Sequence, residues 1–248
     1  MRPLALVTGG WRRIGAAIAR ALAADGWDLA LHAHRADAVD EGLADELRGL
    51  GATIETLSGD LAEDGLPERL LAQCSRAPSL LVNCASIFRD DRLATLTAES
   101  LDAHMRINLY APLLLTRAFA ERLGDEHGSV VMLLDQRVRN PVPDQLAYSL
   151  SKQALHAALP NLARDLAPRI RVNGVAPGLV LPTADYDDAQ WGRLAALMPL
   201  ERLPTPAEIA DAVAWLARAG AVTGQTIFID SGANLEAYRR DFVYLGKP

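Results

Sequence analysis

The chain has 248 residues, with 25 Lys and Arg against 31 Asp and Glu, giving a formal net charge of −6. Such a length holds one large domain or two small ones, and a single domain of this size buries about 75% of its unfolded surface without disulfide staples. The acidic balance argues against nucleic-acid or anionic-membrane partners, and Cys74 and Cys84, with no CxxC or Cys/His cluster, argue against a metal site.

In chain order, short β-like runs alternate with longer helical patterns. Strands are predicted at 4–8, 27–32, 53–57, 80–83, 130–134, 171–176 and 226–229. Helices are predicted at 14–24, 38–50 (N-capped by Asp37), 64–74, 99–122, 144–167 and 206–217. Alternation of this kind implies right-handed βαβ units and a doubly wound parallel α/β sheet with helices on both faces, in one domain spanning 1–248. Two segments break the rhythm. Residues 177–206 gather Pro182, Asp185, Asp187 and Asp188, then an amphipathic stretch at 189–198, and read as a substrate lid. The aromatic, charged tail at 234–248 reads as a surface strap, a subunit contact or a rim of the pocket. The first apolar run is too short for a signal peptide, and no run of about 18 apolar residues marks a membrane span. A soluble, cytoplasmic protein with free, reduced cysteines is the expectation.

Thr8-Gly9-Gly10-Trp11-Arg12-Arg13-Ile14-Gly15 follows the first strand and opens the first helix. Glycines there allow a sharp turn and close approach of backbone to a pyrophosphate seated at the helix N-terminus. The second strand runs into His32-Ala33-His34-Arg35 with no acid before Asp37. A carboxylate at that point would bind a ribose 2′-hydroxyl, whereas Arg35, helped by Arg12 or Arg13, suits a 2′-phosphate, so NADPH is the expected cofactor. His32 reads as structural, since no third metal ligand lies near the His pair.

Tyr148 and Lys152 stand four residues apart on one face of a long helical pattern. A neighbouring ammonium favours the tyrosinate, which brings the phenol toward use as an acid or base. Taken with Thr8-Gly9-(x)4-Ile14-Gly15, Asp60-Leu61, Asn83-Cys84-Ala85-Ser86, Asn108 and Pro177-Gly178, the order and spacing resemble the short-chain dehydrogenase/reductase family over essentially the whole chain. The resemblance implies a Rossmann-type domain binding cofactor and small-molecule substrate together, as a homo-oligomer, most simply a homotetramer. By it, Tyr148 exchanges the proton, Lys152 holds the nicotinamide ribose and lowers the Tyr pKa, and Asn108 supports a water-linked relay. Asp60 and Leu61 correspond to the adenine contact, and Pro177-Gly178 to the wall beside the nicotinamide. Gly9, Arg12, Ile14, Gly15, His34, Asn83, Ala85 and Ser86 complete the expected cofactor set.

The departures narrow the resemblance. Arg13 stands where most of the family has a third Gly, Asn83-Cys84-Ala85-Ser86 where it has Asn-Asn-Ala-Gly, and Asp135 where it has the catalytic Ser. These, with Leu31-His32-Ala33-His34-Arg35 and Phe88, resemble pteridine and dihydromonapterin reductases. In those enzymes the Arg of the turn reaches phosphates and pterin, and the aromatic residue stacks the pterin on the nicotinamide. Reducing a ring C=N needs a proton at nitrogen, and a carboxylate also accepts hydrogen bonds from pterin amino and ring N–H groups. The expected substrate residues are therefore Arg13, Ser86, Phe88, Asp135 and Tyr148. The alternatives are a cap or an Arg137 or Arg139 partner for Asp135, core packing for Phe88, and phosphate binding alone for Arg13. Reduction of a dihydropterin is the leading reading, carbonyl reduction the second, and a non-enzymatic dinucleotide sensor the third.

Overall fold

Every residue of β1 (Leu4–Thr8) is buried, and its side chains alternate between two cores. Ala5 and Val7 join one, Leu4 and Leu6 the other. This is the signature of a strand covered on both faces. The computed structural model describes residues 2–182 and 186–245. Around β1 it builds a seven-stranded sheet with β2 (Asp28–Ala33), β3 (Ile54–Ser58), β4 (Leu80–Asn83), β5 (Gly128–Leu133), β6 (Ile170–Pro177) and β7 (Thr226–Ile229). The order is β3-β2-β1-β4-β5-β6-β7, and every pair is parallel. One face is covered by α1 (Arg13–Ala24), α2 (Glu41–Gly49) and α8 (Pro206–Arg218), the other by α3 (Leu66–Gln73), α5 (Ala111–Leu123) and α6 (Leu146–Asp165). The strand order reverses between β1 and β4, so the crevice opens at the carboxyl ends of these strands. No helix among the described residues is long and apolar enough to cross a membrane.

Predicted strand boundaries differ from the observed ones by one or two residues at most. The N-cap differs in identity. Asp40, not Asp37, accepts the Leu43 amide at 3.1 Å and starts α2, because a 3₁₀ turn at Ala36–Ala38 delays the helix. The pattern at 99–122 is not one helix. It divides into α4 (Ala98–Met105) and α5 around a π-helical turn, Arg106–Tyr110, whose extra residue leaves the apolar periodicity nearly intact.

The segment after β6 carries α7 (Asp188–Leu197), capped by Asp187, while Asp185 lies outside the described residues. The tail folds against α7, with Phe242 and Leu245 packed on Leu194 and Met198. The buried Gln190 carboxamide donates to the carbonyls of Phe242, Val243 and Leu245. Cys74 and Cys84 are free thiols.

Candidate active site

Segments from six strand ends, those of β1 to β6, converge on a cleft of about 970 Å³. The first is the turn after β1. Gly9 has φ 65°, and a Cβ on Gly15 would fall 2.0 Å from the Gly9 carbonyl oxygen, so the helix can begin this close to the strand only with glycine there. Trp11 anchors the turn from below by donating to the Leu31 carbonyl at 3.1 Å. Thr8 Oγ1 accepts the Cys84 and Ala85 amides at 3.0 Å, tying the turn to the loop after β4. The first turn of α1 has no acidic residue, and its N-cap has no side-chain hydrogen bond. Its amides and dipole are left to face the cleft, an arrangement that fits a diphosphate. Arg12 and Arg13 line the cleft and have no ion pair among the described residues. Arg13 sits at φ 53°, a left-handed conformation that a non-glycine residue adopts at a cost.

Arg35 is not where the sequence reading put it. Its guanidinium is turned onto Asp37, with Nε 3.0 Å from the carboxylate, and it does not line the cleft. His34, Asp60 and Leu61 do line it, His34 Nδ1 lying 3.8 Å from Asp60. His32 is buried and Nε2 meets the Gly59 carbonyl at 3.0 Å.

After β4, Asn83 is buried beneath the cleft with its Nδ2 on Met132 Sδ, whereas Ala85, Ser86 and Phe88 line it. Asn108, in the π-helical turn, fastens this loop. Its Oδ1 accepts from Ser86 Oγ and the Ile87 amide, and its Nδ2 donates to the Ile87 carbonyl and Ser151 Oγ, all at 2.9–3.0 Å. All four hydrogen-bonding positions are used within the protein, so Asn108 orients the loop and α6 and does not line the cleft.

Tyr148 and Asp135 meet at the centre. The phenol donates to Asp135 Oδ2 at 2.9 Å, while Oδ1 accepts the Arg137 amide at 2.8 Å. Asp135 therefore both caps a short 3₁₀ turn and faces the phenol; the two readings coexist. Burial and then the Asp135 charge raise the Tyr148 pKa well above its ordinary value. This corrects the expectation that Lys152 depresses it. Lys152 points at the Leu133 carbonyl, 2.7 Å away, and burial lowers its own pKa to about 8. Phe88 is no core residue: it is 50% exposed and meets Tyr148 edge-on, ring centroids 4.8 Å apart. Pro177 and Gly178 form the opposite wall. A Cβ on Gly178 would lie 2.8 Å from Asp230 Cα.

Sequence reasoning missed several neighbours. Arg137 was weighed only as a partner of Asp135, yet its guanidinium lies 5.3 Å from the Phe88 ring centroid and 5.6 Å from that of Tyr148. Tyr186, from the segment expected as a lid, and Phe242 and Val243, from the tail that one reading put at the pocket rim, also line the cleft; nothing local in the sequence singles out these three residues. Among the described residues no cluster of His, Cys, Asp and Glu is placed to hold a metal.

A parallel sheet of this order, a glycine turn at the β1–α1 junction and a Tyr/Lys pair at the crevice define a nucleotide-binding oxidoreductase. The chain belongs to the short-chain dehydrogenase/reductase family: residues 10–234 match the family model described as enoyl-(acyl carrier protein) reductase. Similar solved structures include an alternative dihydrofolate reductase 1 (FolM) from Brucella canis complexed with NADP, 36% identical, with TM-score 0.85 and coverage of 94% of this chain and 95% of that one. Curated relatives include pteridine reductase 1 of Leishmania tarentolae, 30% identical over 94% of this chain and 96% of its own length. Dihydromonapterin reductase of an Enterobacter species is likewise 30% identical, over 94% and 97%.

Proposed function

We propose that the protein is an NADPH-dependent reductase of a dihydropterin, taking a dihydromonapterin, dihydrobiopterin or dihydrofolate ring to the tetrahydro form. The observation that carries this reading is the hydrogen-bonded Tyr148–Asp135 pair facing the half-exposed Phe88 ring across one cleft. When bound, NADPH supplies the hydride. The α1 N-terminus with Arg12 and Arg13 holds its diphosphate, Lys152 its ribose, and Gly9, Ile14, Ala85, Pro177 and Gly178 its flat surfaces. Arg12 and His34 meet the 2′-phosphate first. Arg35 joins them by leaving Asp37, since an exposed pair of this kind contributes only about 0–1 kcal/mol. Tyr148 delivers the proton to the ring nitrogen, and the Asp135 carboxylate accepts hydrogen bonds from the pterin amino and ring N–H groups. Phe88 stacks on the ring, with Arg13 and Ser86 at its rim. The single domain closes over this substrate with the 177–206 segment, and the chain works as a homotetramer in the cytoplasm. Trp215, 44% exposed beside edge strand β7, and Leu200 flank a groove suited to a second copy.

Carbonyl reduction is the second reading, favoured by the family's breadth. Asp135→Ser separates the two. A hydroxyl there restores the group that polarises a carbonyl, but it cannot accept two ring hydrogen bonds as an anion. We expect the variant to lose dihydropterin reduction while keeping or gaining ketone reduction. A stable variant reducing dihydropterins at the parental rate overturns the assignment.

A further inference from the structure

The C-terminal tail sends one carboxylate, Asp241, into the active site from behind. Asp241 is 2% exposed and sits in a built socket. Its backbone amide donates to Asp144 Oδ2 at 2.8 Å, and its Oδ1 accepts the Val243 amide at 3.0 Å. Its Oδ2 takes the Arg137 guanidinium in a buried ion pair. Arg137 in turn meets Gln145, Asp135, Phe88 and Tyr148. NH1 donates to Gln145 Oε1 at 3.2 Å, just before α6 and three residues ahead of Tyr148. Nε lies 3.8 Å from Asp135 Oδ1, and the planar cation lies over the Phe88 and Tyr148 rings. One arginine thus stands between two carboxylates, only one of which the phenol uses.

We infer that Asp241 is a positioning residue for the reaction: by taking the NH2 end of Arg137 in a close pair, it limits that guanidinium to one long 3.8 Å contact with Asp135 Oδ1 and leaves Oδ2 to take the Tyr148 phenol. The geometry supplies the reason. A buried guanidinium deprived of one anion turns to the other, because a buried charge without a partner is costly. The nearest carboxylate is Asp135, and a bidentate pair there occupies the lone pairs that the phenol now meets. Lys152 does not substitute, since its ammonium is held by the Leu133 carbonyl at 2.7 Å. The tail is then part of the active site twice over, through Phe242 and Val243 on the cleft wall and through Asp241 behind Arg137.

The inference rests on Tyr148 as the proton donor, so the test carries a readout that needs no substrate. Asp241→Asn keeps the size and the Val243 contact and removes the charge. For the substrate that the unmodified chain reduces, kcat is expected to fall on the order of 10- to 100-fold, the scale of a small misplacement of a reacting group. The Kd for NADPH should stay within about twofold, and Asp241→Glu should recover most of the kcat. A crystal structure of Asp241→Asn should show Arg137 paired with Asp135 and the Tyr148–Asp135 hydrogen bond lost. Parental kcat in Asp241→Asn, or an Arg137 that has not moved in its crystal structure, overturns the inference. A parent chain inactive on every dihydropterin counts instead against the substrate reading and leaves the crystallographic result to decide this one.

Discussion

Burial and the Asp135 charge both hold the Tyr148 phenol protonated, the state that the proposed reduction requires of it. Tyr148→Phe should keep NADPH affinity and lose roughly 10²–10⁴-fold in kcat, because the phosphate site is untouched while the positioned proton is gone. Lys152 sets a pH limit of its own. Its pKa of about 8 leaves it an ammonium below that pH and neutral above it. kcat/KM for NADPH, which reports the free protein, should therefore fall as pH rises through about 8. In Lys152→Arg the guanidinium stays charged and the limb should vanish; a profile flat through that pH in the parent contradicts the assignment. Asp135 and Phe88 were legible in the sequence because each departs from, or completes, a motif at a fixed distance from another residue. The resting direction of Arg35 was hidden for the opposite reason. Its partner Asp37 is two residues away, and a sequence shows both side chains without saying which way either points.

The π-helical turn at Arg106–Tyr110 is the element that makes one residue serve two others. Asn108 joins the Ile87 backbone to Ser151, so it fixes both the loop bearing Phe88 and the helix bearing Tyr148. Asn108→Leu should leave the Ile87 amide and carbonyl without partners, at a cost of about 2–3 kcal/mol by urea unfolding. It should also raise KM for the substrate more than Kd for NADPH. Unchanged stability in that variant would contradict the bridging role. The residue was legible in the sequence, but the turn was not, since one inserted backbone position hardly alters a 3.6-residue apolar repeat.

At the scale of the molecule, strand and helix alternation carried the topology, because parallel strands buried on both faces read as near-continuous apolar runs. The tail was legible only as one of three readings, a rim of the pocket, and its partners were not legible at all. Its contacts with Arg137, Asp144 and Gln190 join residues far apart in the chain, and no local pattern encodes such pairings. Gln190→Ala removes the donor that holds three tail carbonyls. It should lower the melting temperature modestly and raise protease sensitivity at the tail, read by limited proteolysis. A tail as resistant as the parent's would show that the clamp contributes nothing. Light scattering after size exclusion should give the mass of a tetramer, and a monomeric mass at micromolar concentration would remove that proposal.

The central claim is the chemistry of the substrate, and NADPH oxidation by the unmodified chain tests it most directly. Initial rates would be followed with dihydromonapterin, dihydrobiopterin and dihydrofolate beside a panel of ketones and 3-oxoacyl thioesters. The site described here predicts kcat/KM for at least one dihydropterin well above that for every carbonyl compound. Turnover of the carbonyl compounds alone, with no oxidation of NADPH by any dihydropterin, would contradict it.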